Sequence, residues 1–128
     1  MTKPLLLAIV EMGGYPDFIP LYKEKGYDVE KLHSMRKAQA WLKRNRPDVV
    51  VTEFHFDPEL RDRMSNLESL FATLQRYAPG AQVVVFIEKS HRPRLEKVEV
   101  RHAVAGALDH PVDREALYRI LEKLQAEA

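Results

Sequence analysis

Five polar residues have the types and order to do chemistry together: Glu11, Glu53, His55, Asp57 and His110. Glu11 and Glu53 each close a short apolar run. Asp109-His110 follows a third such run. Carboxylates and imidazoles are good ligands for manganese, iron or zinc, so Glu11, Glu53 and His55 form a candidate divalent-metal set, with Asp57 and His110 close enough in the pattern to join it. The plainer reading is a row of solvated polar groups at strand ends, and that reading is preferred. Cys is absent, which excludes disulfides, thiol catalysis and cysteine-based zinc sites. Gly13-Gly14 follows Glu11-Met12, but neither dinucleotide-binding nor P-loop spacing is present.

The elements that must position these residues alternate along the chain. Arg46-Pro47-Asp48-Val49-Val50-Val51-Thr52-Glu53 is a strand delivering a carboxylate to its end. Three consecutive valines favour a pleated, packed surface, and the lack of apolar/polar alternation predicts burial on both faces. Pro4 to Val10 and Ala81 to Ile87 have the same character. Tyr27 to Lys31 is a half-polar strand and Val104 to Leu108 a short last one. Helices are predicted from Tyr15 to Lys25, from Ser34 to about Asn45, from Glu59 or Ser65 to Tyr77, and after Asp113. Pro20 should kink or shorten the first of them, and Gly26 should close it. Ser34 and Asp113 are candidate N-caps. Arg92 to Arg101 is ambiguous between a weak helix and an irregular segment. Five strand–helix units of this kind imply a parallel sheet covered on both faces.

Composition sets further bounds. The chain has 128 residues, enough for one domain with a real core, and residues 1–128 are expected to form it. Twenty basic and nineteen acidic residues nearly cancel, and neither half is a basic tail. The footprint of a nucleic-acid binder is therefore missing. The run Leu5 to Val10 is too short to span a membrane and lacks a signal-peptide cleavage site. A cytoplasmic protein with no nucleic-acid or membrane partner is expected. The basic set Arg36, Lys37, Lys43, Arg44 and Arg46 reads as a solvated face, as does the turn around His91, Arg92 and Arg94. Trp41 reads as core.

The order and spacing of these pieces resemble the receiver domains of bacterial response regulators over almost the whole chain. Gly26-Tyr27-Asp28-Val29, Ala38 to Leu42 and Pro47 to Glu53 look like that family's second strand, second helix and third strand. Met64-Ser65-Asn66-Leu67-Glu68 is similar to the opening of its third helix. Ala81 to Ile87 looks like the fourth strand. Gly106-Ala107-Leu108-Asp109-His110-Pro111, then Asp113 and Leu117, resembles the fifth strand, its Lys-Pro turn and the last helix. The resemblance implies a flavodoxin-like three-layer α/β/α fold with a five-stranded parallel sheet in order 2-1-3-4-5.

In that family a phosphoacceptor aspartate, an acidic pair binding magnesium, a Ser or Thr and a Lys carry the chemistry. Here the phosphoacceptor position is Glu53, the acidic pair is Glu11 with Met12, the hydroxyl position is Ile87 (Glu88 with a one-residue slip), and the lysine position is His110. Ala107 replaces the aromatic switch. The loop after Glu53 is longer than usual and brings Phe54, His55, Phe56 and Arg61 near the site, the two phenylalanines as a lid or as a partner anchor. A glutamate places its carboxylate one methylene too far for a tuned in-line attack, since about 1 Å of misplacement costs orders of magnitude. Isoleucine has no hydroxyl, and histidine is shorter than lysine. The expectation is a non-enzymatic, stand-alone pseudo-receiver with no cofactor, acting in bacterial signal transduction by phosphorylation-independent protein–protein interaction. The alternative is a receiver-like module that still binds magnesium or another divalent metal, or accepts a phosphoryl group at an atypical site (Glu53, Glu11, His110). Glu53 as a standing mimic of a phosphorylated aspartate ranks below a carboxylate left at a strand end. The resemblance also implies a cis His110–Pro111 bond, and a protein partner or homodimer on the fourth helix, fifth strand and fifth helix, through Leu95, Val98, Arg101, Ala107 and Tyr118.

Overall fold

The computed structural model describes residues 3–11, 15–54 and 66–127. The chain runs β1 (Leu5–Ile9), α1 (Ile19–Glu24), β2 (Asp28–Leu32), α2 (Met35–Leu42), β3 (Val49–Glu53), α3 (Asn66–Tyr77), β4 (Gln82–Ile87), a 3-10 turn (Lys89–His91) leading directly into α4 (Arg92–Glu99), β5 (Gly106–Asp109) and α5 (Arg114–Glu127). All strand pairings are parallel and the order is β2-β1-β3-β4-β5. The parallel sheet is the one that the strand–helix alternation implies, and its order is the flavodoxin-like one that the resemblance implies.

The unbroken apolar runs have a simple explanation. Successive strand residues face opposite sides of the sheet, and both sides are covered. Leu7, Ile9, Val50, Val83, Val85 and Ile87 pack with Leu42, Leu70, Leu74, Leu95 and Val98 from α2, α3 and α4. Leu6, Ala8, Val49, Val51, Val84 and Phe86 pack with Leu21, Tyr22, Leu117 and Leu121 from α1 and α5. Register places Val49 opposite both Leu6 and Gln82, so β3 is the centre of the sheet. All five of its residues are buried.

Local signals set several boundaries. The Ser34 hydroxyl accepts from Lys37 N at 3.1 Å and starts α2. Asn45 Nδ2 donates to Trp41 O at 2.9 Å where α2 ends. Asp113 Oδ1 accepts from Glu115 N at 3.2 Å at the start of α5. Gly26, with φ of 91°, supplies the left-handed turn after α1 that a residue with a Cβ rarely adopts. Gly106 serves another need. A Cβ there would stand 2.8 Å from Ile120 Cδ1 and 3.3 Å from its Cγ2, so the glycine lets α5 lie close on β5.

Three expectations require correction. The first helix does not begin at Tyr15: α1 starts at Ile19, whose N–H donates to Asp17 Oδ1 at 3.0 Å, and Pro20 falls in its first turn. The proline sits where its missing N–H costs nothing, instead of kinking an interior. The ambiguous Arg92 segment is a regular helix. It buries Leu95 (0% exposed) and Val98 (4%) against the sheet, so neither belongs to an interaction surface. Residues three apart share a helix face and residues two apart do not, which is why Val100 is 85% exposed while Val98 is buried. Finally, Arg92 is no solvated turn residue. Its Nε donates to Asp109 Oδ1 at 2.7 Å and its Nη2 to Ala107 O at 3.1 Å, tying α4 to β5.

Candidate functional site

The carboxyl ends of β1, β3, β4 and β5 lie at one edge of the sheet, where open α/β sheets gather their chemistry. Glu53 ends β3 there, and it is only 2% exposed. Its parity matches Val49 and Val51, so it belongs to the α1/α5 side of the sheet. Thr52, with the opposite parity, is equally buried, and its hydroxyl donates to Glu53 O at 3.3 Å. Phe54 N donates to Phe86 O at 2.8 Å and carries the β3–β4 ladder one residue further.

An aromatic group closes over this edge. The Tyr15 ring lies 5.3 Å from that of Phe86 and meets His110 edge-on at 5.1 Å. Phe18 meets Phe86 at 5.7 Å. Glu53, Tyr15, Phe18, Tyr22, Val51 and Phe86 line a cavity of about 80 Å³ that also reaches Lys31. The Tyr15 hydroxyl titrates at about 12, pushed up first by burial and then by the carboxylates of Glu88 and Glu53. Burial is also the main cause of the upward shifts of Tyr22 and Tyr27, helped by Asp17 and Asp48 respectively.

The remaining sequence candidates fall around this group. Glu11 is half-buried just beyond β1. Ile87 is fully buried in the other core layer, and its carbonyl accepts from His110 N at 2.8 Å. The His110–Pro111 peptide bond is cis. His110 Nδ1 is buried with no hydrogen-bond partner among the described residues, as is His91 Nδ1. Phe54 packs down into the core at 3% exposure, with the His91 ring 6.0 Å away. Ala107 and Tyr118 are half-buried and Arg101 is exposed. Met12, Gly13, Gly14, His55, Phe56, Asp57, Arg61, Met64 and Ser65 lie outside the described residues, as does the proposed start of the third helix before Asn66.

Magnesium keeps several waters in a near-octahedral oxygen shell. The described residues do not suit that ion. Glu53 is 2% exposed, and the cavity it lines takes in Tyr15, Phe18, Val51 and Phe86 together with Asp17 and Lys31. Among the described residues, no group of three His, Asp or Glu side chains is placed to hold a metal. Two residues make contacts that the sequence does not mark. Tyr15 falls in a predicted helix, yet its side chain touches both Phe86 and His110. Arg92, expected in a solvated turn, ties α4 to β5. Nothing in periodicity marks either of them, because both act across elements distant in sequence.

No family model matches the chain, and no curated protein matches it. Solved structures do. The chain is similar to a chemotaxis response regulator of Vibrio cholerae, with 21% identity, 96% of this chain and 99% of that one covered, and a TM-score of 0.68. It is similar to the receiver domain of a Francisella response regulator, with 20% identity, 98% of each chain covered and a TM-score of 0.70. It is also similar to a sensor protein from Polaromonas sp. JS666, with 23% identity, 99% and 100% covered, and a TM-score of 0.70. Across nearly its whole length, then, the chain has the fold of response-regulator receiver domains.

Proposed function

We propose that this chain is a pseudo-receiver: a cytoplasmic, non-enzymatic signalling module of two-component type that works by protein–protein contact without accepting a phosphoryl group. The observation that carries this reading is the state of Glu53. A phosphoacceptor must meet its donor in line and be reached by the metal that neutralises developing charge. Glu53 is 2% exposed on a buried strand, beside Tyr15 and Phe86. The neighbouring positions agree. Ile87 offers no hydroxyl, and His110 packs against an aromatic edge where a lysine would reach for a phosphoryl oxygen. Signal output in this reading leaves through the α4–β5–α5 face, with Val100, Arg101 and Ala107 as its contact residues; Tyr118, expected there, instead lies under Lys25 Nζ at 4.3 Å on the α1 side of α5.

Incubation with acetyl phosphate and magnesium, followed by intact-mass measurement, tests the reading. An unchanged mass is expected. The gain of one phosphoryl group at Glu53 would overturn it.

A further inference from the structure

A second feature lies on the opposite flank from the aromatic cluster and goes beyond the pseudo-receiver reading, since it involves different helices and a different kind of contact. α2 and α3 pack side by side and leave between them a groove of about 520 Å³. Small side chains, Ala40, Ala72 and Thr73, line it together with the cations Arg36, Lys43 and Arg76. A second hollow of about 220 Å³ continues it past Lys43 and Arg76 to Arg44 and Arg46. All five cations are exposed. None takes part in any of the ion pairs among the described residues.

The local charge balance is one-sided. From Met35 to Pro47 the chain has five cations and no acid. Asp48, the next acid, turns toward the sheet, where its Oδ2 accepts from Leu5 N at 2.8 Å. On α3 the nearest acid is Glu68, two turns before Arg76 and roughly 12 Å away along the axis. One cation in the last turn of α3 would answer the helix dipole. Five around one groove exceed that need. The Arg76 guanidinium lies 5.3 Å over the Tyr77 ring. Arginine and tyrosine are both enriched among the residues that anchor protein interfaces.

We propose that the α2–α3 groove docks an acidic segment of a partner protein, whose carboxylates meet Arg36, Lys43, Arg44, Arg46 and Arg76. Charge complementarity selects the occupant. A nucleic-acid domain is in general strongly basic, with a pI above about 9, whereas the net charge here is +1 and the pI about 8.0. A groove that runs between two helices and is lined in part by small side chains suits a single helix or extended strand laid along it.

The test is a fluorescence-anisotropy titration of the full chain with a labelled oligoglutamate peptide, run beside a labelled single-stranded oligonucleotide. Peptide binding that weakens with salt is expected. The triple variant Arg36→Gln, Lys43→Gln, Arg76→Gln should weaken it about tenfold, as the sum of three exposed charge contacts. A control variant, Lys3→Gln, Lys97→Gln, Lys123→Gln, removes three exposed cations elsewhere and should bind like the original chain. Urea midpoints check that both remain folded, and Lys43→Glu alone provides a milder replacement for the triple variant. Equal losses in the two triple variants, tighter binding of the oligonucleotide, or no peptide binding would each overturn the proposal.

Discussion

Glutamate and aspartate differ by one methylene, and at the end of β3 that methylene sets where the charge lies. The Glu53 carboxylate shares its cavity with Tyr15, Phe18 and Phe86. An aspartate at the same backbone position would draw back beneath the same aromatic cover. Glu53→Asp should therefore not create a phosphoacceptor. Its intact mass after treatment with acetyl phosphate and magnesium should equal its mass before, because Ile87 still lacks a hydroxyl and His110 still lacks an amine. Tyr15 gives a second prediction at this scale. Its folded pKa of about 12 lies above the ordinary 10.0, so folding favours the neutral phenol. The resulting stability is fully present below pH 10 and is lost as pH rises toward 12. Tyr22 and Tyr27 shift in the same direction, again chiefly through burial. Denaturant midpoints measured across this alkaline range should fall, and Tyr15→Phe should fall less steeply than the original chain. An unchanged slope in that variant would mean that Tyr15 titrates as a solvated phenol.

The elements carry devices of unequal legibility. The Ser34 cap stands in the sequence directly before an apolar stripe, and the observed bond to Lys37 N is the one such a cap makes. Ser34→Ala should cost about 1 kcal/mol, read as a lower urea midpoint at unchanged slope. The Arg92 clamp lacks any such local signature, since its partners Asp109 and Ala107 come from another element. The pair is about one-third exposed on each side, at 38% and 35%, so solvent screens it. A double-mutant cycle with Arg92→Ala and Asp109→Ala should show a coupling of about 0.5–1 kcal/mol. A coupling near zero would reduce the clamp to a surface pair, and α4 would then depend on Leu95 and Val98 alone for its attachment.

For the whole molecule, the two covered faces of the sheet could be read from apolar runs that do not alternate, because burial on both sides removes the need for polar positions, whereas the strand order followed only from the resemblance to receiver domains. The edge where Glu53, Glu11 and His110 gather could also be read from strand ends. What could not be read was which way a short helix turns. In Arg92–Glu99 the apolar residues are few and the charges many, so the helix and its inward face emerge only when the sheet and α3 are in place. That is why Leu95 and Val98, expected at an interaction surface, are found in the core. The difference can be measured. Leu95 is fully buried, so Leu95→Ala leaves a cavity and should destabilise the fold by about 3 kcal/mol. Val100 is 85% exposed two residues past Val98, and Val100→Ser should change stability by no more than about 0.5 kcal/mol. If the α4–β5–α5 face carries the output, Val100→Ser is also the variant that should weaken association while leaving the urea midpoint unchanged. Were Leu95→Ala instead to leave the midpoint unmoved, α4 would not be docked on the sheet, and the face built on it would have no fixed shape to present.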